Sequence, residues 1–328
     1  MAIIDNRGNI RGAVGPHVFR HSRGKNIIQA KPRKYKQTAA SIASAAEFGL
    51  ISSSAAVIRH AFKPAYRYYD GHAVGRMTSA VGRSLRSAAG TIRGHRDLHD
   101  GDLSGLLGTE FNGNSLLKDV LPVQPRISRD ETGAVLVQMP AWNMKTDLKL
   151  PRELMYKGHQ IKVRFLLVAF SFRESYYEYV DNQELEYLLH QNAGAQELRL
   201  SGDIPQGCLL LLSMSVSLYG SHGLDEGFVL LNSAAFSPAA LVAGWQEPGL
   251  IPLEQATAGP AEERPSRMVI DYAGNRLLAG LQKRIEQQAR TGTAKRLAQE
   301  IQQSRNLPRQ PEQDDHPEVL KGKRVRFV

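Results

Sequence analysis

A chain of 328 residues with 42% hydrophobic side chains can build a packed core, and its single cysteine, Cys208, rules out an intrachain disulfide framework. The formal net charge of +10 is unevenly placed: residues 1–99 carry 17 Lys and Arg against four acidic residues, and the rest of the chain carries 25 against 28. Segregated positive charge excludes a neutral, evenly patterned surface and points to a polyanionic partner of the first hundred residues, such as DNA, RNA, an anionic membrane surface or an acidic protein.

The N-terminus, MAIIDNRGNI, lacks the charged and apolar regions of a secretory signal. The most apolar run, Cys208–Leu218, is about half the length of a bilayer-spanning helix and reads as a buried strand. No transmembrane segment is predicted, and the expected location is the cytoplasm or the interior of an assembled particle.

From Ala13 to Lys31, two β-prone runs flank Ser22-Arg23-Gly24-Lys25, which predicts a short basic hairpin that Pro32 brings to an end. A helix is expected from Thr38 to His60, with Ile42, Ala45, Ala46, Phe48, Ala56, Ile58 and Phe62 as its apolar points. A second, from about His72 to Ser87, aligns Val74, Met77, Val81 and Leu85 in one stripe and sets Arg76, Arg83 and Arg86 in a basic row on other faces.

Past a Gly- and Asp-rich connector the pattern changes to short alternating or apolar runs. ISRDETGAVLVQM reads as two strands, HQIKVRFLLVAFSF as one, ELRLSGDIPQGCLLLLSMSVSLYG as two around a turn, and FVLLNSAAF as another. The predicted class is α+β. Its parts are a basic hairpin and helical pair over 1–99, a connector over 100–120, an antiparallel sandwich-like or barrel-like domain over 121–245, a linker over 246–270 and a helical or extended tail over 271–328. In the tail, a helix from Asp271 to Ala289 carries Leu277, Leu278, Leu281 and Ile285; a second is marked by Leu297 and Ile301, and the terminal GKRVRFV alternates like a strand.

Gly12-Ala-Val-Gly15, the strand with Val18 and Phe19, Gly24 in the turn and the Lys31-Pro32-Arg33 exit together resemble a Bacteroidota family known only as a domain of unknown function. The resemblance covers about the first 245 residues and implies a glycine-rich basic hairpin, an Ala-rich helical pair and a β-rich C-terminal domain. His17 and Phe19 stand where the family has a Tyr/Trp-type pair, and the segment after Trp245 is additional. The resemblance implies architecture and carries over no catalytic residue.

Familiar catalytic patterns are missing. No GxGxxG, GxxxxGK[ST], GxSxG or HExxH occurs. His95-Arg96-Asp97-Leu98 spells the opening of a kinase catalytic loop, but Asp102 stands where that motif has its metal-binding Asn, and neither DFG nor a VAIK lysine is present. His17 and His21, and His95 and His99, have four-residue spacing, but the first pair falls in a predicted strand and the second in a loop, so no metal ligand set is assigned. Cys208 opens an apolar strand and reads as a small core residue. No catalytic residue, cofactor or metal is expected.

Aromatics interleaved with arginine can stack on bases, which singles out Tyr66, Tyr68 and Tyr69 around Arg67; Tyr176, Tyr177 and Tyr179 lie beside acidic residues and read as structural or interfacial. The leading expectation is a non-enzymatic assembly subunit, phage-like or mobile-element derived, that self-associates or grips neighbouring subunits and docks a basic arm on an acidic partner. The alternative is an electrostatic nucleic-acid-binding protein acting through Arg20, Arg23, Lys25, Lys31, Arg33, Lys34 and Lys36, with Arg76, Arg83 and Arg86. An enzyme acting in the β-domain is the third reading.

Overall fold

The computed structural model describes residues 2–22, 24–31, 38–88, 96–189, 191–221, 227–252, 255, 266–270, 272, 274–277, 279–281 and 283. Arg23, Arg33, Lys34, Lys36, His95, Leu297, Ile301 and the terminal GKRVRFV lie outside them. The fold is α+β, with antiparallel strands throughout. It divides into two compact units, Met1–Ala43 and Ser44–Val328.

The first unit holds a four-stranded meander in which β1 (Ala2–Ile4), β2 (Ile10–Val14), β3 (His17–Ser22) and β4 (Lys25–Ala30) pair in sequence order. The expected single hairpin is therefore its second half. The run AVGPHVF, read as one strand, is broken at Gly15-Pro16: Val14 pairs with His17, and Gly15 takes the left-handed φ of +55° that a two-residue connection needs at its first position. Upstream, the Asp5 carboxylate accepts the backbone N–H groups of Arg7 and Asn9 at 3.0 and 2.9 Å, closing the turn between β1 and β2.

The second unit contains α1 (Ala39–Ala61, which begins just before the division), α2 (Ala73–Arg86) and eleven strands among the described residues. These are β5 (Arg126–Arg129), β6 (Val135–Met139), β7 (Trp142–Asn143), β8 (Gly158–Ser171), β9 (Tyr176–Leu188), β10 (Asn192–Ala193), β11 (Gln196–Leu200), β12 (Leu209–Ser221), β13 (Phe228–Leu230), β14 (Ala239–Gln246) and β15 (Arg267–Val269). The main sheet runs β13-β12-β8-β9-β15, with β14 also paired to β12, and two smaller sheets are β11-β6-β5 and β10-β7.

Alternation along β8 and β12 sends side chains to both faces of the main sheet, and each face carries an apolar cluster. Ile161, Val163, Phe165 and Leu167 join Leu210, Leu212 and Met214, the small-sheet residues Val135, Val137 and Met139, and Trp142 in one cluster. Leu166, Val168, Phe170, Leu209 and Leu211 join Leu50, Ile51, Ile58 and Phe62 of the α1 region and Met77, Val81 and Leu85 of α2 in the other. The antiparallel region expected over 121–245 is thus built around one large sheet, with helices on one face and small sheets on the other. The helical pair, grouped by sequence with the basic hairpin, packs on this sheet.

Ala40–Ala61 is long and apolar enough to cross a membrane by length and composition alone; here its Leu50, Ile51, Ala55 and Ile58 are buried in the core. In α2 the buried arc is Ala73, Met77, Ala80, Val81, Ser84 and Leu85, while Val74, expected in the stripe, is 48% exposed. The arc turns toward Ala80 and Ser84 because their small side chains admit the 97–106 segment. A Cβ on Gly101 would lie 2.1 Å from the Ser84 carbonyl oxygen, so only glycine fits.

A buried ionic cluster ties the layers together. Arg173 lies in the turn between β8 and β9, beside Ser175 at φ +58°. Its Nε and Nη2 donate to the Asp97 carboxylate at 2.8 and 3.1 Å, Nη2 donates to Asp100 at 2.8 Å, and Nη1 donates to the Ile251 carbonyl at 2.6 Å. The Phe172 N–H donates to His99 Nε2 at 3.0 Å, and Asn275 Nδ2 donates to the Phe172 and Arg173 carbonyls at 3.1 Å. Burial raises the Asp97 carboxyl, and hydrogen bonds with the charge of Arg173 outweigh it, holding the group below its ordinary value. Burial lowers His99 to about 4 against the opposing pull of Asp97, so the imidazole is neutral at neutral pH.

The linkage sign follows from that lowered value. Between pH 6.5 and about 4 the unfolded chain binds a proton at His99 that the folded chain refuses, so stability falls as pH falls through this window. His99→Gln retains an acceptor for Phe172 and removes the titration. Urea unfolding at pH 7 and 4.5 is expected to show the pH-dependent loss shrinking by about 2–3 kcal/mol in the variant; parallel pH curves would refute the assignment. Arg173→Met strands two carboxylates and is expected to cost about 3–5 kcal/mol.

Candidate functional site

The N-terminal sheet is the surface that sequence and structure both single out. Residues directly opposite in an antiparallel pair share a face, so the register sorts its side chains. Ile4 pairs with Ile10, Gly12 with Phe19, Val14 with His17, Phe19 with Ile28 and His21 with Asn26, which gives one face composed mainly of Ile4, Ile10, Val14, Phe19 and Ile28. Ile3 pairs with Arg11, Arg20 with Ile27 and Ser22 with Lys25, so Arg11, Arg20 and Lys25 share the opposite face. The first face is the more apolar, although it also carries His17, His21 and Asn26, and the second sets its three cations among Ile3, Val18 and Ile27.

The sheet encloses no core of its own. Among the described residues 2–31 no residue is buried; Ile4 is 68% exposed, Val14 55% and Ile28 63%. Arg20, Lys25 and Lys31 are exposed, and Arg11 lies 4.0 Å from Asp5. The structure brings Arg20 and Lys25 to one surface with Arg11, a residue the sequence reading passed over because the strand that carries it was not foreseen.

The basic row on α2 is differently employed. Arg76 donates to Asp70 at 2.7 Å and to the carbonyls of Glu110 and Phe111 at 3.1 and 3.3 Å. Arg83 donates to Ser79 Oγ and the Gly105 carbonyl, and Arg86 pairs with the buried Glu47 at 3.5 Å. Arg76 and Arg83 fasten the 105–111 segment to α2, so the cationic row is largely a set of structural clips. Glu47 also receives both Nε and Nη2 of Arg96, at 3.1 and 3.0 Å.

The tyrosines divide. Tyr66 is 6% exposed, stacks on Phe111 at 4.5 Å and donates its hydroxyl to the Arg59 carbonyl at 2.7 Å. Burial raises its phenol to about 12. Tyr66 therefore cannot offer a ring face to a base without leaving the core, whereas Tyr68 and Tyr69 are 39% and 56% exposed.

The residues examined for catalysis have structural surroundings. Asp97 of the His-Arg-Asp-Leu run caps a short 3₁₀ turn and grips Arg173. Cys208 is buried, with Tyr176 OH 3.5 Å from its sulfur, and burial pushes its thiol up to about 12, far from the thiolate a nucleophile needs. Burial raises Glu110 to about 7, in the range of an acid–base catalyst, but both its oxygens accept the Leu117 N–H at 3.0 Å and so close a turn. No cluster of three or more His, Cys, Asp or Glu suited to a metal occurs among the described residues.

The assignment of Tyr66 to the core gives a direct contrast. Tyr66→Ala is expected to cost about 3–5 kcal/mol of unfolding free energy and Tyr69→Ala under about 1 kcal/mol. Equal, small effects in chemical denaturation would return Tyr66 to the surface. Comparison with protein-family models, curated proteins and solved structures finds no match to this chain.

Proposed function

We propose that the protein is a non-enzymatic assembly subunit whose N-terminal sheet docks its apolar face on a second copy or neighbouring subunit, leaving Arg11, Arg20 and Lys25 to meet an acidic surface. The observation that carries this reading is the absence of any buried residue among the described residues 2–31, in a sheet with five large apolar side chains on one face. Apolar side chains stabilise a sheet only when another surface removes them from water. The body beginning at Ser44 has two apolar clusters of its own. The order of glycine-rich sheet, helical pair and β-rich body is in keeping with the Bacteroidota resemblance, which supplies no activity.

A second reading is supported by the clustering of Arg11, Arg20 and Lys25 on one face: electrostatic contact with nucleic acid. The two are compatible, since an assembly subunit can hold packaged nucleic acid on one side of a sheet and a neighbour on the other.

Light scattering coupled to size exclusion tests the first reading on the full chain. The protein is expected to be oligomeric at tens of micromolar, and Ile10→Thr/Ile28→Thr, chosen to preserve strand propensity, is expected to weaken association by about tenfold or more with the body's unfolding transition unchanged. A monomeric wild type, or a variant that associates equally well, would overturn it.

A further inference from the structure

The helix-side face of the main sheet changes character along its length. Under the helices it is Leu166, Val168 and Phe170 on β8 beside Leu209 and Leu211 on β12. Towards the other end the same face becomes polar: Arg164 and Lys162 on β8, Glu184 and Glu186 opposite them on β9, Ser217 and Tyr219 on β12. A core has no use for such residues, and a cleft of about 420 Å³ opens over three of them, Arg164, Ser217 and Tyr219.

The floor of the cleft includes Arg164, Ser217 and Tyr219; Lys63 and Arg67, from the segment after α1, line it with Phe228 of β13. No carboxylate is among its lining residues. Arg164 is neutralised by Glu184 and donates Nη1 to the Pro64 carbonyl at 2.7 Å, which pins the Lys63–Arg67 segment to the sheet. Lys162, paired with Glu186, stands over the Tyr219 ring, 5.5 Å from its centre. The side chains of Lys63 and Arg67 make no ion pair or hydrogen bond among the described residues, and Phe228 is 53% exposed.

We infer that this cleft binds a nucleotide unit, its phosphate on Lys63 and Arg67 and its base against the rings of Phe228 and Tyr219. Two cations with no carboxylate among the residues that line the cleft with them, and two aromatic rings in the same lining, match a ligand that is anionic at one end and planar at the other. The unit is either a free nucleotide or one link of a single strand; the exposed rings of Tyr68 and Tyr69 continue the segment that carries Arg67. The inference borrows only its ligand class from the nucleic-acid reading and places the contact on the body, away from Arg11, Arg20 and Lys25.

Fluorescence anisotropy of a labelled twelve-residue oligothymidylate, with the full-length protein across a salt series, tests it. Competition by unlabelled AMP, ATP and duplex DNA separates the sources. Wild type is expected to bind the single strand more tightly than the duplex. Lys63→Glu/Arg67→Glu is expected to weaken binding by about tenfold or more and to lower the log–log salt slope by about 1–2, and the charge-neutral Phe228→Ala to weaken it by about fivefold or more. Competition by AMP at millimolar levels assigns the site to a free nucleotide; competition by the strand alone assigns it to a polymer. Loss confined to Arg20→Glu/Lys25→Glu would overturn the cleft and leave the nucleic-acid reading of the N-terminal sheet intact. Absence of binding to every probe at low salt would overturn both.

Discussion

Arg173 is the point through which the body is held in one arrangement. A single guanidinium in the β8–β9 turn engages Asp97, Asp100 and the Ile251 carbonyl, while its neighbour Phe172 is bonded to His99 and Asn275. A buried charge of this kind contributes little net stability over an apolar replacement of the same shape, but removing one partner leaves the others stranded. Its consequence is geometric: the 97–106 segment is fixed, Gly101 can then meet Ser84, and α2 is fixed in turn. The helix layer is seated on the main sheet by the apolar cluster of Leu50, Ile58, Phe62, Met77 and Leu85 with Leu166, Val168 and Phe170, and that chain of contacts sets the 97–106 segment against it.

With the body held in this way, the contrast between the two units becomes the functional clue. The body from Ser44 onward buries Phe62, Phe111, Phe165, Phe170 and Phe172 almost completely, whereas the sheet over residues 2–31 buries nothing among the described residues. Entropy must be offset by burial in any ordered segment. Under the proposed assembly role the sheet finds its missing surface in another molecule, and Arg11, Arg20 and Lys25 give that contact a preference for negative charge. The Lys63–Phe228 cleft adds a separate, concave surface on the body, lined by two cations and two aromatic rings.

Much of the fold was legible in the sequence because it rests on local rules. Short alternating runs located β5, β6 and β8, the continuous apolar run from Cys208 located β12, and the turn residues Asp130–Gly133 and Gly202–Gly207 separated strands where expected; α1 and α2 began within a residue or two of their reading. The first two strands were not legible, because β1 is only three residues long and Gly15-Pro16 interrupts a run that otherwise scores as continuous. The candidate site was legible only as charge. Counting Lys and Arg cannot tell Arg20, which stands on an open face, from Arg76, whose partners Glu110 and Phe111 lie 34 and 35 residues away. Tyr66 shows the same limit: its partner Phe111 comes from a distant segment, and only the fold reveals that its ring is covered. The cleft joins residues 63 to 237, a separation that no sequence window spans.

Hydrogen exchange read by mass spectrometry across a dilution series tests most directly the claim that the N-terminal sheet is completed by another molecule. Amides of β8, β9 and β12 are expected to be protected equally at every concentration, and those of residues 10–30 to gain protection as concentration rises through the association range. Protection of residues 10–30 that is strong and independent of concentration would contradict the account.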